Sequence, residues 1–214
     1  HRVSAIHNPS SNMKLASGAA PTKRMLELGV SVGLGTDGPA SNNDLDMFEE
    51  MRLASFLAKL STLDPTALPA RSVVLMATRL GARALHIDSI TGSLIPGKRA
   101  DIITVDIHPL HNQPRFKRDE TCIYSQIVYA TKSTDVTDSM VNGKWLMRDR
   151  KVLTLDEADL VKDATAYAGR IDAFLAKREQ SVLSKLVAIG GAMEEESFEV
   201  QVKVKIDETA PIVA

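Results

Sequence analysis

The sequence holds a single cysteine, Cys122, so no intrachain disulfide can form. A reduced, cytoplasmic setting is the default expectation for such a chain. Long apolar runs are missing too. None approaches the roughly 18 residues of a membrane span, so no membrane partner is expected. Neither sign of charge dominates: 26 basic against 27 acidic residues leave a formal net charge of -1. That balance argues against nucleic acid as a partner and against an acidic solvating tail. The chain has no phosphate-binding loop, no Gly-x-Gly-x-x-Gly at a strand end and no G-x-S-x-G elbow. Internal repeats and low-complexity tracts are likewise absent.

What is present is ordinary for a globular protein. The 214 residues, 44% hydrophobic and 25% charged, suffice for one large domain or one and a half small ones. The chain opens on His1, inside an apparent strand, with neither an initiator methionine nor a signal peptide. Further sequence is therefore expected upstream.

Residues 2–6 (RVSAI) read as a short strand that ends at His7-Asn8-Pro9. The stretch from Asn8 to Gly18 is rich in Ser, Asn and Gly and reads as a loop. Pro21 can open a helix that Gly29 closes. In GVSVGLGTDG, Val30, Val32 and Leu34 are apolar and interleaved with small residues, which fits a buried parallel strand. Strand, helix, strand is the unit of an α/β fold. A helix capped by Asn43 and carrying Leu45, Phe48, Phe56, Leu57 and Leu60 should follow, until Asp64-Pro65 breaks it. A second should run from about Pro69 to Leu85.

The patterning changes near Gly92. ADIITVDI, IYSQIVYA, TDSMVNGKWLM and RKVL read as short strands, with a hairpin turn at Asn142-Gly143. Residues 156–187 return to helical spacing through Leu160, Tyr167, Ile171 and Phe174, and Gly190-Gly191 should end that helix. FEVQVKVKI alternates as a half-buried strand does. The expected segments are thus 1–91 (α/β), 92–155 (β), 156–190 (helical) and 191–214 (a tail with a strand).

Asp37 is the first candidate for chemistry. A lone Thr-Asp-Gly triplet is usually a turn. Here it follows a parallel strand, and in α/β proteins active sites lie beyond the C-terminal strand ends. Asp37 should therefore face a cavity near residues 1–8, beside the polar PASNN loop. His7 also follows a strand and can face the same mouth, or can anchor its loop by a hydrogen bond. His108 and His111 lie three apart, but in a proline-flanked loop, which favours an ordinary surface segment over a metal site. His86 ends a helix, where a cation suits the dipole. Cys122 has no motif around it and reads as a small buried apolar residue. Lys98-Arg99, Lys144 to Lys151 and Glu194 to Glu196 read as solvated charges. With five histidines and no His-x-His pair, a complete shell of three or four ligands cannot be assembled.

HNPSSNMKLASGAAP followed by GVSVGLGTDGPASNNDLDMFEEMRLAS resembles the amidohydrolase superfamily, and within it the 5-methylthioadenosine/S-adenosylhomocysteine deaminases. GSLIPGKRADIITVDI and VNGKWLMRDRKVLT resemble that group's C-terminal β-sandwich. The resemblance covers roughly residues 1–180 and implies a fold class: the C-terminal part of a (β/α)8 barrel plus part of a composite β-sandwich. Residues 1–6 would be strand seven and 30–36 strand eight. It implies that Asp37 is a ligand to one divalent metal, zinc with iron as the alternative, and the proton shuttle for a metal-activated water. Ser41 lies in the loop that approaches substrate in such enzymes. The implied reaction is hydrolytic deamination of an adenine-type nucleoside, a missing glutamate protonating the ring nitrogen. The implied partner is a small nucleoside or heterocyclic amine, and a homo-oligomer is allowed. Triazine hydrolases of the same superfamily are an alternative, as is a non-catalytic barrel relative. The first six strands, the His-x-His pair, and the later metal histidine and glutamate are missing from this chain. The residues beyond about 187 match nothing in the family.

Overall fold

The computed structural model describes residues 3–116, 119 and 121–188. Contacts divide the chain after Glu157 into two units. The first unit starts with strand β1 (Ser4–His7), short helices α1 (Pro9–Lys14) and α2 (Thr22–Glu27), and strand β2 (Ser31–Leu34). The strands pair in parallel, Ser4 opposite Ser31 and His7 opposite Leu34. Parallel neighbours need a crossover of about a dozen residues or more, and α1 and α2 provide it.

The loop expected over Asn8–Gly18 is corrected in part to helix α1. Pro9 sits at the first helical position, where its fixed φ suits the turn and its missing N–H costs nothing. Pro9 and Ser11 are buried, so tertiary contacts override the local turn preference of the Ser- and Asn-rich stretch.

Helices α3 (Pro39–Asn42) and α4 (Met47–Thr62) follow β2. Asn43 does not cap α4. It ends α3 with φ +82°, and Asp46 caps α4 by accepting from Phe48 N at 2.8 Å and Glu49 N at 3.3 Å. The helix expected over Pro69–Leu85 is two helices, α5 (Ala70–Ala77) and α6 (Arg79–Ala84), separated at Thr78. That break lets α6 turn onto β2 while α5 packs against α4. The core joins Val32 and Leu34 of β2 to Phe48, Met51, Ala54 and Ala58 of α4 and Val73 and Met76 of α5.

A four-stranded antiparallel sheet lies in the same unit. Its order is β3 (Ile102–Val105), β4 (Val136–Val141), β5 (Lys144–Arg148) and β6 (Lys151–Val152). It is separate from the β1–β2 pair. Asn142 and Gly143 take φ of +49° and +78° at the β4–β5 turn, as a two-residue hairpin loop requires.

IYSQIVYA is not a strand. Residues Cys122–Tyr129 form helix α7. Short apolar runs fit either period, and here Tyr124, Ile127 and Val128 fall on one helical face that packs against α4 and α5. Val128 is 0% exposed. Cys122, in the first turn, is only half-buried. Tyr129 stacks on Phe56 with 5.7 Å between ring centres and shares a 2.7 Å hydrogen bond with Ser55. Lys98 is also not a free surface charge, since its ammonium donates to Thr91 O and Ser93 Oγ.

The second unit is represented by helix α8 (Glu157–Ala188), which matches the helical spacing of the sequence. Leu160, Tyr167, Ile171 and Phe174 are exposed on it. Gly190-Gly191, Glu194 to Glu196 and FEVQVKVKI lie outside the described residues. No helix among the described residues is long and apolar enough to cross a membrane.

One glycine fixes how closely α6 can approach β2. A Cβ on Gly33 would lie 2.9 Å from both Gly81 Cα and Ile6 Cδ1. The first of these is backbone and cannot step aside. Gly33→Ala is expected to destabilise the fold by about 1–3 kcal/mol, the usual range for overpacking, read as a lowered urea midpoint. An unchanged midpoint would show that α6 shifts freely.

Candidate active site

Because β1 and β2 are parallel, their C-terminal ends share one side of the sheet. Gly35 N donates to His7 O at 3.0 Å and continues the pairing one step further. A Cβ on Gly35 would stand 2.6 Å from Asn8 Oδ1, so any larger residue here would push the Asn8 side chain aside. Two residues later Asp37 adopts φ +62°. This left-handed conformation is uncommon outside glycine, although aspartate tolerates it better than most.

The carboxylate of Asp37 is held from three sides. Its Oδ1 accepts from Gly38 N at 2.8 Å, and its Oδ2 accepts from Ser11 Oγ at 2.7 Å and Ser41 Oγ at 2.9 Å. These bonds favour the charged form, the Ser11 hydroxyl most, and keep the acid below the usual carboxylate range. Asp37 is exposed rather than enclosed by the described residues. The depression beside it, about 280 Å³, includes Ser41, Asn42, Ser10 and Lys14 in its wall, and Asp37 stands at the edge through Ser41.

Behind this carboxylate lies a second one that sequence reasoning missed. Glu50, on the first turn of α4, is 0% exposed. It accepts from Asn42 Nδ2 at 2.6 Å and from Ser10 N at 3.1 Å. Ser11 and Glu50 lie 26 and 40 residues from their main partners, and no local spacing signals such contacts. The nearest available clue is Glu50 itself, an acid flanked by the apolar positions Phe48, Met51 and Ala54 that face the core.

His7 is 4% exposed, and its Nδ1 has no hydrogen-bond partner among the described residues. Burial pushes its pKa down from 6.5 to about 4, so the ring is neutral at pH 7. The other histidines do not join this group. His111 Nε2 lies 2.8 Å from Asp135 Oδ2, and the exposed His108 pairs with Asp106 at 3.2 Å. Burial would push the Asp135 carboxyl up, but the bonds from His111 and Lys132 N outweigh it and hold it low. His86 lies just past the end of α6 with φ +59°.

Among the described residues no three His, Cys, Asp or Glu side chains are grouped as a metal site would need. The donors that are present do suit a divalent cation in part. Among the described residues, Asp37 is an ionised carboxylate with three neutral hydrogen-bond donors and no lysine or arginine bonded to it. Its Oδ1 carries one hydrogen bond, and a carboxylate oxygen has two acceptor sites. A borderline ion such as zinc takes carboxylate oxygen and neutral imidazole nitrogen alike.

Residues 1–146 match the family model described as the amidohydrolase family. This chain belongs to the amidohydrolase family. Over 167 residues it is 48% identical to 5-methylthioadenosine/S-adenosylhomocysteine deaminase 1 of Syntrophus aciditrophicus, covering 78% of this chain and 37% of that protein. It is 51% identical over 166 residues to 5'-deoxyadenosine deaminase of Methanosarcina mazei, with the same two coverages of 78% and 37%. The chain thus spans little more than a third of the length of the relatives it matches.

Solved structures give the same picture. A Xanthomonas campestris adenosine deaminase with bound zinc is 42% identical with a TM-score of 0.75, covering 80% of this chain and 38% of that one. The zinc complex of atrazine chlorohydrolase from Arthrobacter aurescens is 27% identical with a TM-score of 0.67, covering 77% and 35%. These amidohydrolase neighbours support an α/β fold of the barrel type.

The buried imidazole makes a prediction about pH. The folded-state pKa of His7 is depressed, so between pH 6.5 and about 4 the unfolded chain takes up a proton that the folded chain does not. Stability should be complete above pH 6.5 and fall as pH drops through that window, by about 3 kcal/mol at most. Urea titrations at pH 7.5 and 4.5 should show this slope, and His7→Gln should flatten it. An equal slope in both proteins would remove His7 from the account.

Proposed function

We propose that the full-length protein containing this chain hydrolyses the exocyclic amine of an adenine-type nucleoside and releases ammonia. The 5-methylthioadenosine and S-adenosylhomocysteine type is the substrate class favoured. The observation that carries the reading is Asp37: an ionised carboxylate at the C-terminal end of a parallel strand, positioned by Ser11, Gly38 and Ser41. Identities of 48% and 51% to proteins named as such deaminases support it, as does the adenosine deaminase neighbour. The triazine hydrolase alternative draws on a neighbour of only 27% identity.

In this reading β1 and β2 are strands seven and eight of a (β/α)8 barrel. Residues 1–91 belong to that barrel, 92–155 to a β-sandwich and 156–190 to a helical segment, while 191–214 lie outside the described residues. Side chains on both faces of a barrel strand are normally covered. Ile6 at 43% exposure fits a strand whose remaining neighbours lie elsewhere in the full-length protein.

Asp37 would be one ligand of a divalent metal, for which zinc is favoured over iron by the zinc-bound neighbours. When bound, the metal supplies Lewis acidity that makes water nucleophilic near neutral pH. The hydrogen bonds to Asp37 make it a weaker base and keep it ionised and oriented. The one acceptor site left on Oδ1 would go to the metal, so the proton of the attacking water goes to Oδ2, from which the Ser11 or Ser41 hydroxyl has to turn away. The water oxygen bonds to the ring carbon bearing the amine. The proton then passes from Oδ2 to the departing nitrogen, and the carbon–nitrogen bond breaks to give ammonia. Ser41, bonded to Asp37 and bordering the depression, is placed to touch substrate. The orphaned Nδ1 of the neutral His7 is a second candidate contact.

The test is ammonia release from 5'-deoxyadenosine and methylthioadenosine by the full-length protein. Asp37→Ala should lower kcat by about 100-fold or more, the scale of a lost acid–base group. The isolated 214-residue chain, with no three-ligand cluster among its described residues, should release none. Full activity in the Asp37→Ala protein would overturn the mechanism, and inactivity of the unaltered full-length protein would favour the non-catalytic relative.

A further inference from the structure

We infer that Glu50 is a positioning residue for Asp37: one buried carboxylate that sets the spacing of the two serine hydroxyls gripping it. This rests on the reading of Asp37 proposed above. The juxtaposition is specific. Glu50 Oε2 accepts from Ser10 N, and the next residue, Ser11, donates its hydroxyl to Asp37 Oδ2. Glu50 Oε1 accepts from Asn42 Nδ2, and the preceding residue, Ser41, donates its hydroxyl to the same Oδ2. The two segments held by one acid therefore hold the other acid one residue away.

Each segment depends on this hold. Helix α1 has no side-chain cap from Asn8, and Pro9 has no N–H to offer. Ser10 N is thus the first free donor of that helix, and Glu50 satisfies it from another element. Asn42 is fixed at its other end too, since its Oδ1 accepts from Leu45 N at 2.7 Å. The Asn42 amide cannot be flipped to suit a new partner without setting its NH2 against Leu45 N–H. Both groups facing Glu50 are donors, so only an acceptor at both oxygens satisfies them.

Glu50→Gln is almost isosteric but places an NH2 against one of those donors. The full-length zinc-loaded protein is the material to test, with Val73→Ala as a control that removes core volume on α5 without touching the site. In Glu50→Gln the crystal structure should show at least one serine hydroxyl beyond about 3.5 Å from Asp37, the outer limit of a hydrogen bond. Zinc should dissociate faster, and kcat should fall about 10- to 100-fold, as when a group supporting a metal ligand is lost, with a smaller change in KM. Val73→Ala, at a matched loss of Tm, should keep kcat and the zinc off-rate near wild type.

Intact Ser11 and Ser41 bonds in Glu50→Gln would overturn the inference. So would a loss of kcat and zinc that Val73→Ala reproduces at equal Tm, since that is a structural effect alone. If the full-length protein deaminates no nucleoside, the proposed function falls, while the two crystallographic distances still decide the role of Glu50.

Discussion

Parallel pairing of Ser4–His7 with Ser31–Leu34 brings residues 8–11 and 35–38 to the same end of the sheet, and the site is built from that coincidence. In an antiparallel pair these segments would leave from opposite ends. The in-step register lets Gly35 reach His7 O, and Ser11 then meets Asp37 across 26 residues of chain. Two glycines sit along the same strand and its exit. Gly33 admits α6 and Gly35 admits the Asn8 side chain. Both make room at the back and the top of the strand that delivers the carboxylate.

The core sets where the second support comes from. Phe48, Met51 and Ala54 bury one face of α4 against β2 and α5, and this anchors the first turn of the helix. Glu50 on that turn is carried inward with them. Its bonds come from neutral amides at Ser10 and Asn42. Taking a carboxylate out of water is costly unless its oxygens are bonded, so the buried acid holds α1 and α3 in register as the condition of its own satisfaction. Helix α7 closes the far side of α4 through Val128, Tyr129 and the Arg52 bond to Thr131 O at 2.8 Å.

Features whose physics is local were legible in the sequence. Val32 and Leu34 among glycines announced a buried strand, and Asn142-Gly143 announced a turn that needs two positive φ values. The spacing of Leu160, Tyr167, Ile171 and Phe174 announced α8. Features decided by distant contacts were not. The run Ile123–Tyr129 satisfies either period, and only packing on α4 and α5 makes it helical. The turn-forming residues after Asn8 became α1 because Pro9 and Ser11 are buried. Asn43 and Asp46 are both good caps, and the choice fell to the one whose backbone is extended rather than left-handed. Asp37 was visible through its place after a strand. Its partners Ser11 and Ser41, and Glu50 behind them, required the fold.

The site also concentrates unfavourable terms on one side of the sheet. Asp37 has positive φ, and among the described residues Glu50 is a buried acid without a cationic bond partner and His7 a buried imidazole with an unpaired nitrogen. Each costs stability by itself. A chain selected for stability alone would replace them with glycine, an apolar residue and a hydrogen-bonded side chain respectively. Asp37 lies in a segment that the parallel register brings to one end, His7 at the end of β1 beside it, and Glu50 reaches the same region from α4. Turning the backbone left-handed at Asp37 brings its carboxylate back over Gly38 N and between the two serines, so one oxygen is engaged twice and the other once.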